Sequence, residues 1–591
     1  MPVPFSQALR ERLESNSIGM VMGLRAVGGF SRRAVIFHLV PSGDGEPYRL
    51  RSKAANTTKS DESWALAMKW IEDCTTHHTK CNAFRPSEGW FPSRLIDIGT
   101  SEDCEPRLRI TIYEPPDGPY VTLSHCWGKA LLIQLKGKYL RRFAEGIPMS
   151  DLPKTFVDAI CITRRLGFRY IWIDSLCIIQ DSKEDWIREA LSMDKVYSNS
   201  ICNIAATASR DSSQGLFRER PVHTLYPCEV DVIRRSDGQA VRHHILDTGF
   251  WKEHLGDQPL NQRGWVLQER FLAPRVLHFG FQLMWECQEL DAAEKYPVGL
   301  PEDLKPSACF KSLEEEPRMK PWNGRWEKSH SHNIVWNKIM RTYSRTALTK
   351  PEDKLIALSG IAKMLQVVME DEYIAGMWKR HFAGQLLWRV DTTPLSNGVL
   401  ASRPKEYRAP SFSWLSIDGP VGFISMTTDE GNIIEILDID IEPSTSDSTG
   451  PIKAGYIRIR GTLKPLELKR SNDSFIWNMI VDGKLLVINE NNPREKRRVP
   501  LVFMDIHQDE FSGEMYIMCI SSRESPVAPM VGGLILEPTR VERGEFRRLG
   551  TFTTGADVTF HGVLLGKAEN GERLPCEAYH PVSCQHTITI V

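Results

Sequence analysis

Three short blocks place polar side chains where chemistry can be done. The first, Tyr120-Val-Thr-Leu-Ser-His-Cys-Trp-Gly128, is a run of β-formers that ends in Ser124, His125, Cys126 and Trp127 before a glycine free to turn. The second, Tyr170-Ile-Trp-Ile-Asp-Ser-Leu-Cys-Ile-Ile-Gln180, sets Asp174 and Ser175 after an apolar strand, with Cys177 close behind. An aspartate at the carboxyl end of a parallel strand can hold ribose hydroxyls or a cationic group. Alternatively, Asp174 caps the following turn and Gln180 bonds to loop backbone. The third block, Gln262-Arg-Gly-Trp-Val-Leu-Gln-Glu269, spaces Trp265 and Glu269 four apart, on one face of a helix. A carboxylate desolvated beside an indole has its pKa raised and can serve as acid or base. Arg263, Arg270 and Arg275 offer the opposing reading, a structural ion pair on Glu269. In the same spirit, Trp127 can simply plug a sheet edge, with His125 and Cys126 as satisfied neighbours.

Other candidates are less specific. Cys126 or Cys177 with His125 as base would make a thiol nucleophile. Cys74, His78 and Cys81 are soft ligands at close spacing, but a structural zinc takes four. Cys104, Cys161 or His77 could complete the set, and spacing dictates none of them. The trio is therefore read as a helix end packed by reduced cysteines, and no metal is assigned. His330 and His332 lie in a polar stretch, and the basic run 494–498 reads most simply as a solvated hairpin tip, with a nuclear signal as the alternative. The chain has no Walker loop, GxGxxG, HExxH or GxSxG, so nucleotide hydrolysis, Rossmann redox, zincin and α/β-hydrolase chemistry lack their key residues.

The elements that must position these groups alternate: strand (Tyr120 to Ser124), helix (Leu152 to Leu166), strand (Tyr170 to Ile173), helix (Lys183 to Tyr197), strand (Ile201 to Ala206). Such an order implies a parallel sheet covered on both faces. Upstream, residues 20–52 read as a small β lead-in and Asp61 to about Cys81 as an amphipathic helix capped by Ser60. Residues 291–330 read as loop or linker, and 331–392 as helical, with Asn337 to Tyr343 and Asp371 to Trp388 as helices. After about 410, short alternating runs predict an antiparallel sheet, sandwich or open barrel. The domains expected are 1–94, 95–290 with a core at 119–280, 291–420 and 421–591.

At 591 residues, with 41% hydrophobic and 25% charged residues, the chain is too long for one core and folds as several globular domains. Lys plus Arg number 74 against 75 Asp plus Glu, so no net field draws it to nucleic acid or an anionic membrane. No stretch approaches the roughly 18 to 20 uncharged apolar residues of a membrane span. The opening residues lack the apolar core of a secretory signal, and 13 scattered cysteines suit a reducing compartment, so a cytoplasmic protein is expected.

In order and wording the three blocks resemble the fungal HET (heterokaryon incompatibility) domain. Cys74, His78 and Cys81 before Phe91-Pro-Ser-Arg-Leu-Ile-Asp97 are similar to the segment that often precedes it. Leu348 to Ile361, Ala375 to Trp378 and Pro410 to Trp414 resemble the extension of long members. One departure is His125, where the family more often carries Tyr. The resemblance implies a role in fungal nonself recognition, in which fusion of unlike cells triggers death. It also implies an α/β, TIR-like domain with a mostly parallel sheet flanked by helices, a helical extension and a β-rich C-terminal domain. By the more distant likeness to TIR enzymes, Glu269, Ser124 and Asp174 would be catalytic, with Trp127, Trp265 and Arg263 around the ligand. NAD then enters as a substrate, and no resident cofactor is implied. Partners implied are an incompatibility or signalling protein and further copies of the chain. An accessory role in secondary metabolism is the remaining alternative.

Overall fold

The computed structural model describes residues 18–23, 34–41, 55–83, 89–101, 104–128, 133–226, 228–233, 238–305, 311, 328–391, 401–423, 431–470, 477–487, 499–506, 513–523, 530–554 and 560–591. The chain forms two compact units, Met1–Ser312 and Leu313–Val591. In the first, the main elements are β1 (Ile18–Gly23), β2 (Ala34–Pro41), α1 (Asp61–His77), α2 (Thr79–Ala83), β3 (Arg94–Asp97), β4 (Arg107–Ile110), β5 (Tyr120–Ser124), α3 (Lys154–Arg165), β6 (Tyr170–Trp172), α4 (Lys183–Leu191), α5 (Met193–Ser198), β7 (Cys202–Ala205), β8 (Cys228–Ile233), β9 (Ala240–Asp247), α6 (Gly264–Leu272), β10 (Arg275–Phe279), β11 (Leu283–Cys287) and β12 (Asp291–Ala293).

Every residue of β5, β6, β7 and β10 is buried, as strands covered on both faces require. They form the parallel centre of an eight-stranded sheet of order β12-β11-β10-β7-β5-β6-β3-β4. The expected mostly parallel sheet is corrected to a mixed one, because β11 and β12 at one margin and β3 and β4 at the other run antiparallel. Only Gly280, Phe281 and Gln282 separate β10 from β11, and so short a turn can only reverse the chain. The N-terminal strands do not stand alone either. They belong to a second sheet of order β1-β2-β9-β8, whose other half comes from residues 228–247. Of the turns expected in the lead-in, Gly28-Gly29 and residues 42–47 lie outside the described residues.

Helix α1 starts where its cap predicts, with Ser60 Oγ accepting the Ser63 amide at 3.2 Å. It stops at His77, and Cys81 falls in the separate turn of α2. The helix expected from Lys183 to Tyr197 is two, broken at Ser192, whose hydroxyl bonds back to the Arg188 carbonyl at 2.9 Å. Residues 291–304, expected in a linker, are part of this unit: Ala293, Tyr296, Leu300 and Leu304 share a core with Phe250 and Trp251. Two buried ion pairs tie the margins. Arg94 on β3 holds Asp185 on α4 and the Cys177 carbonyl, and Arg220 clasps Glu294.

The second unit opens with helices Lys328–Tyr343 and Ile356–Met369, so His332 lies in a helix and not in a linker. The helix expected over Asp371 to Trp388 is replaced by a hairpin (Tyr373–Ile374 with Met377–Trp378), a short helix Phe382–Gln385 and a strand Trp388–Val390. The cause is a turn held from a distance: Ala375 and Gly376 turn at φ 46° and 92°, and the Gly376 carbonyl accepts both the Trp336 and Trp414 indoles, at 2.9 and 2.6 Å. The remaining strands, from Glu435–Pro443 to Gln585–Ile590, build an eleven-stranded sheet, antiparallel except where Glu545–Thr553 meets Gln585–Ile590. The basic run 494–498 lies outside the described residues. Among the described residues no helix is long and apolar enough to cross a membrane.

Arg94 and Asp185 are both buried, so removing Arg94 strips Asp185 of its buried partner and leaves it only the exposed Arg188. Arg94→Met is expected to cost about 3 to 5 kcal/mol in urea unfolding followed by tryptophan fluorescence, and Arg94→Met with Asp185→Leu to recover much of that loss.

Candidate active site

The carboxyl ends of β5, β6 and β7 carry the polar residues that the sequence singles out. Parallel pairing places Ser124 beside Ala205 and Thr122 beside Asn203. Asn203 is a buried amide in the middle of an apolar strand, and its partners are the two hydroxyls across from it. Thr122 Oγ1 donates to Asn203 Oδ1 at 3.1 Å, and Asn203 Nδ2 donates to Ser124 Oγ at 2.9 Å. The Ser124 hydroxyl is thereby free to donate to Glu269 Oε2, at 2.5 Å. Helix α6 brings Glu269 to this strand end, where the buried Tyr197 of α5 is near enough to act on the carboxyl.

Glu269 is 8% exposed and Ser124 1%, so the pair is shut from water. Burial is the leading cause that pushes the Glu269 carboxyl up to about 7; Ser124, Arg263 and Tyr197 oppose it, and the charge of Asp174 adds to it. Among the described residues no cation lies within ion-pair distance of Glu269. This removes the ion-pair reading: Arg263 donates to the His125 carbonyl, Arg270 to Glu286 and Arg275 to Cys74. The neighbouring glutamate shows the contrast. Glu286, just as buried, receives Arg270 in a bidentate pair at 2.6 and 2.7 Å, with His278 at 3.4 Å. There the desolvation that would raise the carboxyl is outweighed, and Glu286 is held far below its usual range. Two buried glutamates, one on α6 and one on β11, are thus driven apart by the presence or absence of a guanidinium.

Asp174 follows β6 and keeps its side chain 30% exposed. Its Oδ2 accepts the Trp127 indole at 2.8 Å, and its Oδ1 accepts the Ser175 amide at 2.7 Å and lies 3.8 Å from His125 Nε2. Burial holds His125 down at about 4, so the ring is neutral at pH 7; Phe156 meets it edge-on at 4.9 Å. Gln180 bonds to the Asp174 and Ile178 carbonyls, as its loop-backbone reading has it. Trp127 and Arg263 are half-buried, and with Asp174 they form the side of the cluster that water reaches. Trp265 packs edge-on against Trp186 of α4, with ring centroids 6.3 Å apart. The structure thus joins Ser124 to Glu269, joins Trp127 to Asp174 beside the His125 ring, ties Arg263 to the His125 carbonyl, and gives Trp265 a packing partner on another helix. Asn203 and Tyr197 complete the site and were not singled out by motif. The signal for Asn203 was an amide inside Ile201-Cys-Asn-Ile-Ala205, a place where an unpaired polar group is costly.

The thiols are poor nucleophiles. Burial raises Cys126 and pushes Cys177 up to about 12, and the neutral His125 has no hydrogen-bond partner at Nε2 among the described residues. Cys74, His78 and Cys81 lie at the other end of the strands.

Residues 120–269 match the family model for Heterokaryon incompatibility protein (HET). The match begins on the first residue of β5 and ends on Glu269 itself. No curated protein and no solved structure matches the chain.

The raised pKa has a thermodynamic signature. Glu269 titrates at its ordinary 4.5 in the unfolded chain and at about 7 in the fold, so between these values the fold holds the extra proton. Stability is expected to fall as pH rises through that window and to level off above it, by about 3 kcal/mol in total. Urea unfolding across pH should show this decline in the wild-type chain and its absence in Glu269→Gln.

Proposed function

Since residues 120–269 form a HET domain, we propose that the chain acts in fungal nonself recognition and the cell death it triggers, and that the domain works there as a TIR-like centre that cleaves NAD. The observation that carries this reading is the uncompensated Glu269 carboxylate, bonded to a strand-end serine and poised near neutrality. When the nicotinamide–ribose bond breaks, its electron pair leaves with the nicotinamide nitrogen and positive charge builds on the ribose. A carboxylate facing that carbon stabilises the charge, and water then adds its oxygen and gives up a proton. With a pKa of about 7, Glu269 can supply the charge and accept the proton in one cycle. Asp174 would take a ribose hydroxyl, Trp127 would offer an aromatic face, and Arg263 a cation for the pyrophosphate. Substrate would reach Glu269 only if the seal over Ser124 and Glu269 opens.

That same seal favours a second reading, in which the domain is a non-enzymatic adaptor that binds an incompatibility or signalling protein, or its own copies, in the cytoplasm. The third alternative, a thiol-dependent accessory enzyme of secondary metabolism, is disfavoured by the raised Cys126 and Cys177.

Nicotinamide release from NAD by the purified chain, over a range of protein concentrations, separates these readings. The catalytic reading expects turnover by wild type and a loss of about a hundredfold or more in Glu269→Gln. Folded protein that releases none at any concentration, or a variant as active as wild type, would sink it. Iodoacetamide is expected to label Cys126 and Cys177 no faster than a model thiol, as peptide mapping by mass spectrometry would record.

A further inference from the structure

Strand β10 runs parallel to β7, so Arg275, its first residue, lies at the amino end of the sheet, opposite Ser124. Cys287 closes β11 and pairs with Arg275 across the hairpin. Helix α1 packs on β11, and its end delivers three more residues here: Cys74 in its last turn, His78 at its C-cap and Cys81 in α2. The ligand atoms of Cys74, His78, Cys81 and Cys287 all lie within 4.8 Å of one another. His78 Nδ1 is 3.4 Å from Cys287 Sγ and 3.8 Å from Cys81 Sγ. A tetrahedral zinc with Zn–S of about 2.3 Å and Zn–N of about 2.0 Å has ligand-to-ligand edges of roughly 3.5 to 3.8 Å. The spacing is that of a metal shell. All three thiols are buried and none is in a disulfide.

The surroundings are those of thiolates. Arg275 Nε donates to Cys74 Sγ and the Leu290 amide to Cys287 Sγ, each at 3.2 Å. Arg275 is 4% exposed and, among the described residues, has no carboxylate within ion-pair distance. A buried guanidinium needs an anion. Three thiolates, one neutral imidazole and a divalent cation carry one net negative charge, which is the counterion that Arg275 lacks. Asn82 holds the loop in shape: its Nδ2 donates to the carbonyls of Cys74, Thr75 and His78, and its Oδ1 accepts from Arg275 Nη2 at 2.5 Å. Such outer contacts fix the ligands of a metal before it arrives.

We propose that Cys74, His78, Cys81 and Cys287 bind one Zn²⁺ in a closed Cys₃His centre. With four protein ligands no position remains for water, so the centre is structural. It fastens the helix before residue 120 to the strand after residue 269, outside the HET match, and its binding energy adds to folding. The fourth ligand follows His78 by 209 residues, which is why spacing alone left the set one short; Cys104, Cys161 and His77, the candidates that the sequence offers, are all exposed.

The test uses the full chain, purified without chelator, with metal measured by inductively coupled plasma mass spectrometry. One zinc per chain is expected; Cys81→Ser and Cys287→Ser should fall to background, and Cys104→Ser and Cys161→Ser should keep it. Should the first two variants fail to fold, cobalt in the wild-type chain decides. Co²⁺ is expected to show the intense visible bands of a tetrahedral thiolate site and a sulfur-to-metal charge-transfer band, and His78→Cys to keep the metal with an altered spectrum. Folded wild-type chain that holds no zinc and gives no tetrahedral cobalt spectrum would overturn the proposal. So would full zinc in a folded Cys287→Ser variant, or a disulfide among the three cysteines in the isolated chain.

Discussion

A carboxylate sealed into an α/β core without a cation is the constraint around which the first unit is arranged. Glu269 has Ser124 as its hydrogen-bond partner, and Tyr197 and the more distant charge of Arg263 only partly offset its desolvation. Each of the three arginines that the sequence sets near it is committed elsewhere. A structural glutamate in such a place usually resembles Glu286, clasped by Arg270 and fully ionised. Glu269, without such a partner, is instead left to titrate near neutrality, which on the proposed reading suits it to act as acid and base.

Holding that carboxylate takes the parallel centre of the sheet. The parallel register sets Thr122 beside Asn203 and Ser124 beside Ala205, so that the Asn203 amide reaches the hydroxyl at the end of β5. The helix α6 must then lie over that end, and it is followed at once by β10, which returns to the sheet beside β7. Both limits of the HET match fall on this arrangement, one on the strand that carries Ser124 and one on Glu269. The antiparallel margins serve differently: β3 anchors α4 through Arg94, and β11 carries Glu286 and Cys287.

Much of this was legible in the residues, and the failures share a cause. The strand ends at Ser124 and Trp172, the helix over Lys154–Arg165 and the strand over Cys202–Ala205 follow from local periodicity and lie within a few residues of expectation. What periodicity could not reach is pairing at a distance. The partners of β1 and β2 come from residues 228–247, the fourth member of the cysteine cluster from Cys287, and the partner of Trp265 from Trp186 on another helix. The segment Asp371 to Trp388 reads as helix by composition, but two indoles from elsewhere claim the Gly376 carbonyl and fix a turn. Asn203 was visible as an oddity in its strand, and its reason, two hydroxyls on the neighbouring strand, was not.

The central claim, that Glu269 is a carboxyl group held protonated by its burial until near-neutral pH, can be read on the group itself. Infrared difference spectra of the folded chain across pH report the C=O stretch of a protonated carboxyl, and Glu269→Gln assigns the band. A band that is lost with a midpoint at about 7 and is missing from the variant is the expected result. A Glu269 band that titrates at the ordinary 4.5 would contradict the account, leaving the residue an ordinary ionised carboxylate at neutral pH.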